Sequence, residues 1–148
     1  MNGTEQRLTD PNEGLIRRAW RTGRQKIIID QLSGARRAPA AAFEPRAKDE
    51  ALSVNVESSL LAAGLPLIWG VDPTRQYAAR ITVGDCWANG LEAFRNPVLP
   101  IPPDDPGNPH HGLIRGLVEM RSNNPDDYER TIDELAKASR IVSEATPP

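Results

Sequence analysis

Residues 96–114 bring both histidines of the chain, His110 and His111, together with the adjacent carboxylates Asp104 and Asp105 and six of the fourteen prolines. An imidazole titrates close to neutrality, so either histidine has the chemistry of a general acid or base. Upstream, Asp49 and Ser53 supply a carboxylate that could orient an imidazole and a hydroxyl that could reach a ligand. His110, His111, Asp49 and Ser53 are therefore the catalytic candidates. Each also has a plainer account: one histidine packed on the core and the other in water, Asp49 capping a turn, Ser53 bonding at a strand edge. Asp104 and Asp105 could likewise position a histidine or a cation, yet adjacent carboxylates on a proline-rich loop are ordinarily solvated.

A second group surrounds Trp20. On a helix, Arg17, Arg21 and Arg24 share one face, a spacing suited to gripping phosphates, with Arg18 and Lys26 nearby and the indole free to stack on a base. An amphipathic helix that buries Trp20 and solvates its arginines has the same pattern. Adjacent helical side chains point about 100° apart, so His110 and His111 would not share one ion, and no metal or cofactor is expected. Neither a phosphate loop, a paired-cysteine motif, a nucleophile elbow nor a dinucleotide fingerprint occurs. Cys86, the single cysteine, is read as a small core residue.

These residues need elements to hold them. A short helix from Asn12 to near Gly23 is expected to carry the arginines, followed by a strand over 26–30 centred on Ile27-Ile28-Ile29, the alternative being a longer helix that runs through it. Residues 35–42 read as a connector and 52–56 as an extended piece. Ser58 to Ala63 should form a helical turn or two stopped by Gly64. Leu67 to Val71 and Ala78 to Val83 are expected strands, and Asp85 the cap of a short helix over 86–94 that is interrupted or ended near Asn89-Gly90. Residues 97–106 cannot form a regular helix or a central strand, because their prolines lack backbone donors. Asn108-Pro109 has the signature of a helix start, which would put both histidines in a first turn. The last helix has the fullest set of signals: Asn124 as cap, Pro125 first, Asp126 and Asp127 on its dipole, then Tyr128, Ile132, Leu135, Ser139 and Val142 at helical spacing. The alternation predicts an α+β fold, a small mixed sheet with short flanking helices and a C-terminal amphipathic helix. A flexible N-terminus is expected at 1–11, one domain over 12–123, the packed helix over 124–144 and a tail at 145–148.

The formal net charge of −2 conceals a split, since residues 1–48 hold ten Lys or Arg against five acids (+5) and residues 49–148 hold eight against fifteen (−7). Such a split steers an anionic partner to the first part, or is neutralised within one fold. With one cysteine, a polar N-terminus and no apolar run of membrane-spanning length, a cytoplasmic protein with no membrane contact is expected.

Residues 43–54, then Trp69-Gly70-Val71, then residues 108–116 together resemble a pattern in small uncharacterised bacterial proteins, covering roughly residues 35–117. That resemblance implies a bacterial cytoplasmic origin and pairs the Asp49-Ser53 segment with the histidines; it transfers no catalytic residue. The leading expectation is an accessory protein that works with a larger macromolecular protein partner through Trp20 or the exposed Pro100, Pro102 and Pro103. Two alternatives compete with it: a small enzyme acting on a nucleotide or nucleic acid with a histidine as acid or base, and a nucleic-acid-binding protein using the basic segment.

Overall fold

The computed structural model describes residues 5–142. In chain order the elements are β1 (Gln6–Arg7), β2 (Gly14–Trp20), β3 (Ile28–Ile29), β4 (Arg36–Arg37), β5 (Leu52–Val56), α1 (Glu57–Ala62), β6 (Gln76–Thr82), α2 (Val83–Ala88), β7 (Glu92–Arg95), β8 (His111–Arg115), α3 (Leu117–Asn123), α4 (Pro125–Ala138) and β9 (Arg140–Val142). Seven strands make one sheet in the order β1-β7-β8-β5-β2-β6-β9, while β3 and β4 form a separate hairpin. The expected α+β class holds, while the sheet expected to be mixed is antiparallel in every pairing between the described strands.

Residues alternate faces along a strand, and both faces of this sheet are used. Leu15 and Ala19 of β2, with Leu52, Val54 and Val56 of β5, enter the larger core beneath α4, whose Ile132 and Leu135 are fully buried. Ile16 of β2 and Ala78 of β6 point the other way, into a smaller core closed by Leu60 of α1 and Leu67. Gly14 has no side chain where a Cβ would press on the Glu57 carboxylate, which leaves room for the two-pronged Arg80–Glu57 pair, 2.9 Å on each prong.

β2 replaces the helix expected from Asn12 to Gly23. The spacing of Leu15, Ile16, Ala19 and Trp20 suits either structure, and a seven-residue ladder with β6, from Gly14↔Thr82 to Trp20↔Gln76, decides it. The 26–30 strand shrinks to Ile28–Ile29, which pairs only with Arg36–Arg37 outside the main sheet. Leu67 to Val71 is a chain of turns rather than a strand, closed by Trp69 N–H to the Pro66 carbonyl at 3.0 Å and Val71 N–H to that of Ile68 at 2.9 Å. Its apolar residues cap the smaller core instead of joining the sheet.

The helix expected from Cys86, ending near Asn89-Gly90 or continuing to Phe94, runs from Val83 to Ala88 with Asn89 as its C-cap. Thr82 is its cap, and Asp85 sits three residues on in a reciprocal capping box. Phe94 then falls in β7. The helix expected from Asn108-Pro109 is β8 instead, because β5 and β7 both ladder onto residues 111–115. α4 begins as predicted, with the Asn124 side chain accepting from Asp127 N–H, but stops at Ala138 so that β9 can pair with β6. Within the segment expected to be a flexible terminus, Gln6 and Arg7 pair with β7. The expected tail at 145–148 lies outside the described residues. Among the described residues, no helix is long and apolar enough to cross a membrane.

Candidate functional site

β2 is laddered to β6 over seven pairs but to β5 over only two, Leu15↔Val56 and Ile16↔Asn55. Beyond Ile16 the seam opens. Into the gap reaches Arg17, whose Nε–H donates to the Ala42 carbonyl and whose guanidinium NH1 donates to the Ser53 carbonyl, both at 2.9 Å. A guanidinium thus occupies the place where strand-to-strand hydrogen bonds would continue.

A cleft of about 430 Å³ lies over this opening, within the size range of small-molecule sites. Its floor crosses three strands in register, Ile16 beside Asn55 and Asn55 beside His111. Arg18, Trp20, Ser53, Trp69, Arg46, Asp49 and Asn108 complete much of its wall. The lining residues include three arginines, Arg17, Arg18 and Arg46, against a single acid, Asp49. Burial pulls the Arg17 guanidinium down to about 10, opposed by the charge of Asp49, so it remains a cation at neutral pH. Arg18 donates to the Gly70 carbonyl at 3.0 Å, an exposed bond that leaves its other donors available.

The two histidines have separate environments. His111 Nδ1 lies 2.9 Å from the Asn96 carbonyl, which can only accept, so the ring proton sits on Nδ1. Nε2 is the other nitrogen of this cleft-lining ring and has no hydrogen-bond partner among the described residues. His110 is buried, shares a 2.8 Å hydrogen bond between its Nδ1 and the Ser59 hydroxyl, and meets Trp69 edge-on at 5.0 Å. Burial, and then the charge of Arg95, hold its pKa below the ordinary imidazole value. It does not line the cleft.

Of the residues singled out from sequence, His111, Asp49, Ser53, Arg17 and Trp20 meet in this cleft. Asp49 does so in a different role from the orienter of a histidine. Both its oxygens take hydrogen bonds from the Arg46 guanidinium, at 3.0 and 3.1 Å, which holds its carboxyl below the ordinary range, while a peptide carbonyl orients His111. The arginine stripe is dissolved by the strand. Arg21 donates to the Pro73 carbonyl at 2.8 Å and Arg24 forms a two-pronged pair with Glu44, so neither lines the cleft. Pro100, Pro102 and Pro103 are exposed on an arm away from it. Cys86 is buried, its thiol pushed up to about 12, which makes it a core residue without nucleophilic chemistry.

Sequence reasoning did not select Asn55, Asn108, Arg46 or Trp69 for the site. Asn108 Nδ2–H donates to Asn55 Oδ1 at 2.8 Å and its own Oδ1 accepts from His110 N–H at 2.9 Å, which ties the entry of β8 to β5. The available signal was the alternation of Ser53 and Asn55 with Leu52, Val54 and Val56, which sets two polar residues on the face opposite the core. Among the described residues, no cluster of three or more His, Cys, Asp or Glu side chains is placed to hold a metal ion.

No family model, curated protein or solved structure matches the chain.

Proposed function

We propose that this protein binds a phosphorylated ligand of the nucleotide class in the cleft between β2 and β5, with His111 as the group that exchanges a proton with it. The observation that carries the reading is the gathering of Arg17, Arg18 and Arg46, against one carboxylate, on a single cleft that also presents indole surface and an imidazole. Guanidinium groups recognise phosphate through paired donors, and the indoles of Trp20 and Trp69 offer surfaces suited to a planar base. With Nδ1 committed to a carbonyl, Nε2 is the nitrogen through which the His111 ring exchanges a proton with a ligand hydroxyl or water. This is the enzyme-type alternative of the sequence reading, with His111 and Arg18 as its principal groups and Asp49 reduced to holding Arg46.

The test is calorimetric titration with nucleoside mono- and diphosphates, uncharged nucleosides and inorganic phosphate, alongside imidazole NMR. Nucleotides should bind more tightly than either fragment and move the His111 resonance while leaving that of His110 in place. No response to millimolar nucleotide, or a response undiminished in Arg18→Ala, overturns the reading.

A further inference from the structure

Two ordered arms leave the sheet from opposite ends. The first is the β3–β4 hairpin, which follows the C-terminal end of β2; its turn is closed by Asp30 N–H to the Ala35 carbonyl at 2.8 Å and Gly34 N–H to that of Asp30 at 2.7 Å. The second connects the C-terminal end of β7 to the N-terminal end of β8, and paired backbone bonds of 2.8–3.0 Å join Val98 to Asn108 and Ile101 to Asp105 across it. β8 runs parallel in direction to β2, since both oppose β5, so these two origins lie at opposite ends of the strands.

Each arm carries aliphatic side chains that the described chain leaves partly or wholly exposed. On the hairpin these are Ile28, Ile29 and a completely exposed Leu32; on the other arm, Leu99 and Ile101 are about half exposed, 46% and 52%. Their charges are opposite. On the hairpin Arg37 and Arg36, across from Ile28 and Ile29 in register, outnumber Asp30, while Asp104 and Asp105 lie beside Ile101 with no cation in that arm. Among the described residues, no salt bridge joins one arm to the other.

We propose that the hairpin at residues 28–37 docks on the arm at residues 98–108 of a second copy of this chain. Clustered exposed aliphatic residues mark interaction surfaces, and here the apolar and charged parts of the two arms complement each other. Backbone bonds already hold each arm in shape, so association orders little additional chain. Because the arms leave from opposite ends, two copies lying side by side and antiparallel exchange both contacts about a two-fold axis and close as a dimer.

The experiment is sedimentation of the full chain over a concentration series. The native protein should pass from monomer to dimer. Arg36→Glu with Arg37→Glu should raise the dissociation constant about tenfold or more, and so should Asp104→Arg with Asp105→Arg, since each places like charges together. An equimolar mixture of the two double variants should restore the dimer, because each reversed arm then faces its complement. All four residues are exposed, and unchanged circular dichroism and melting temperature verify that the variants fold. A native chain that stays monomeric, reversals that leave self-association unaltered, or a mixture that remains monomeric overturns the proposal. Binding of a different protein by a strictly monomeric chain does the same.

Discussion

The two seams of β2 differ in what replaces water between them. Toward β6 the backbone does the joining, over seven consecutive pairs whose buried members include Leu15, Ile81, Ala19 and Tyr77, the last also donating its hydroxyl to the Gln25 carbonyl. Toward β5 the ladder lasts two residues, and beyond it a side chain, Arg17, satisfies the Ser53 and Ala42 carbonyls. A closed seam has no donors left to offer, whereas an opened one turns backbone requirements into positions for cations and polar side chains. The candidate site follows from that asymmetry.

The largest effect should come from the closed seam. Leu15→Ala empties a fully buried position between the seams and should cost about 2–5 kcal/mol in denaturant unfolding. Arg17→Met comes next, at about 1–3 kcal/mol, because it leaves two carbonyls without their donor. It should also weaken nucleotide binding in calorimetry, so stability and affinity fall together. Arg18→Ala sharpens the contrast: on the exposed side of the open seam it should change stability by no more than about 0.5 kcal/mol. The same substitution should raise the nucleotide dissociation constant about tenfold.

The smallest effect concerns pH. His110 has a folded-state pKa below the ordinary 6.5, chiefly through burial, so the unfolded chain binds the extra proton first. Its contribution to stability is complete above the unfolded value and is lost as pH falls from there through the folded value. Melting curves between pH 7 and 5 should thus decline less steeply for His110→Gln than for the native protein. Equal slopes would show that the imidazole carries no such linkage.

Elements with strong local signals were legible in the sequence. α4 announces itself through Asn124, Pro125 and a periodic apolar face, and β5 through the alternation of Leu52, Val54 and Val56. Elements decided by distant partners were not. Leu15, Ile16, Ala19 and Trp20 fit helical and extended spacing alike, and only β6, some sixty residues later, selects the strand. Ile27 to Ile29 have strong strand propensity, but propensity does not say whether anything covers them, and Ile29 is left 61% exposed. Asn108-Pro109 carries a true helix-start signature, overruled by ladders on both sides of β8.

The site was legible in part for the same reason. Asp49 and Ser53 reach the cleft with His111 because β5 and β8 are neighbours, and the arginines that join them are those of a strand and a turn rather than of one helical stripe.

Arg17 has a protective side as well. An opened seam inside a sheet is two interior strand edges, and a strand edge with free carbonyls is a template on which foreign chains can pair. By occupying the Ser53 carbonyl with a charged side chain, Arg17 keeps that template shut without closing the cleft. A guanidinium placed in a cleft wall thereby turns away a stray peptide strand, so its loss would expose the molecule to aggregation from within its own sheet.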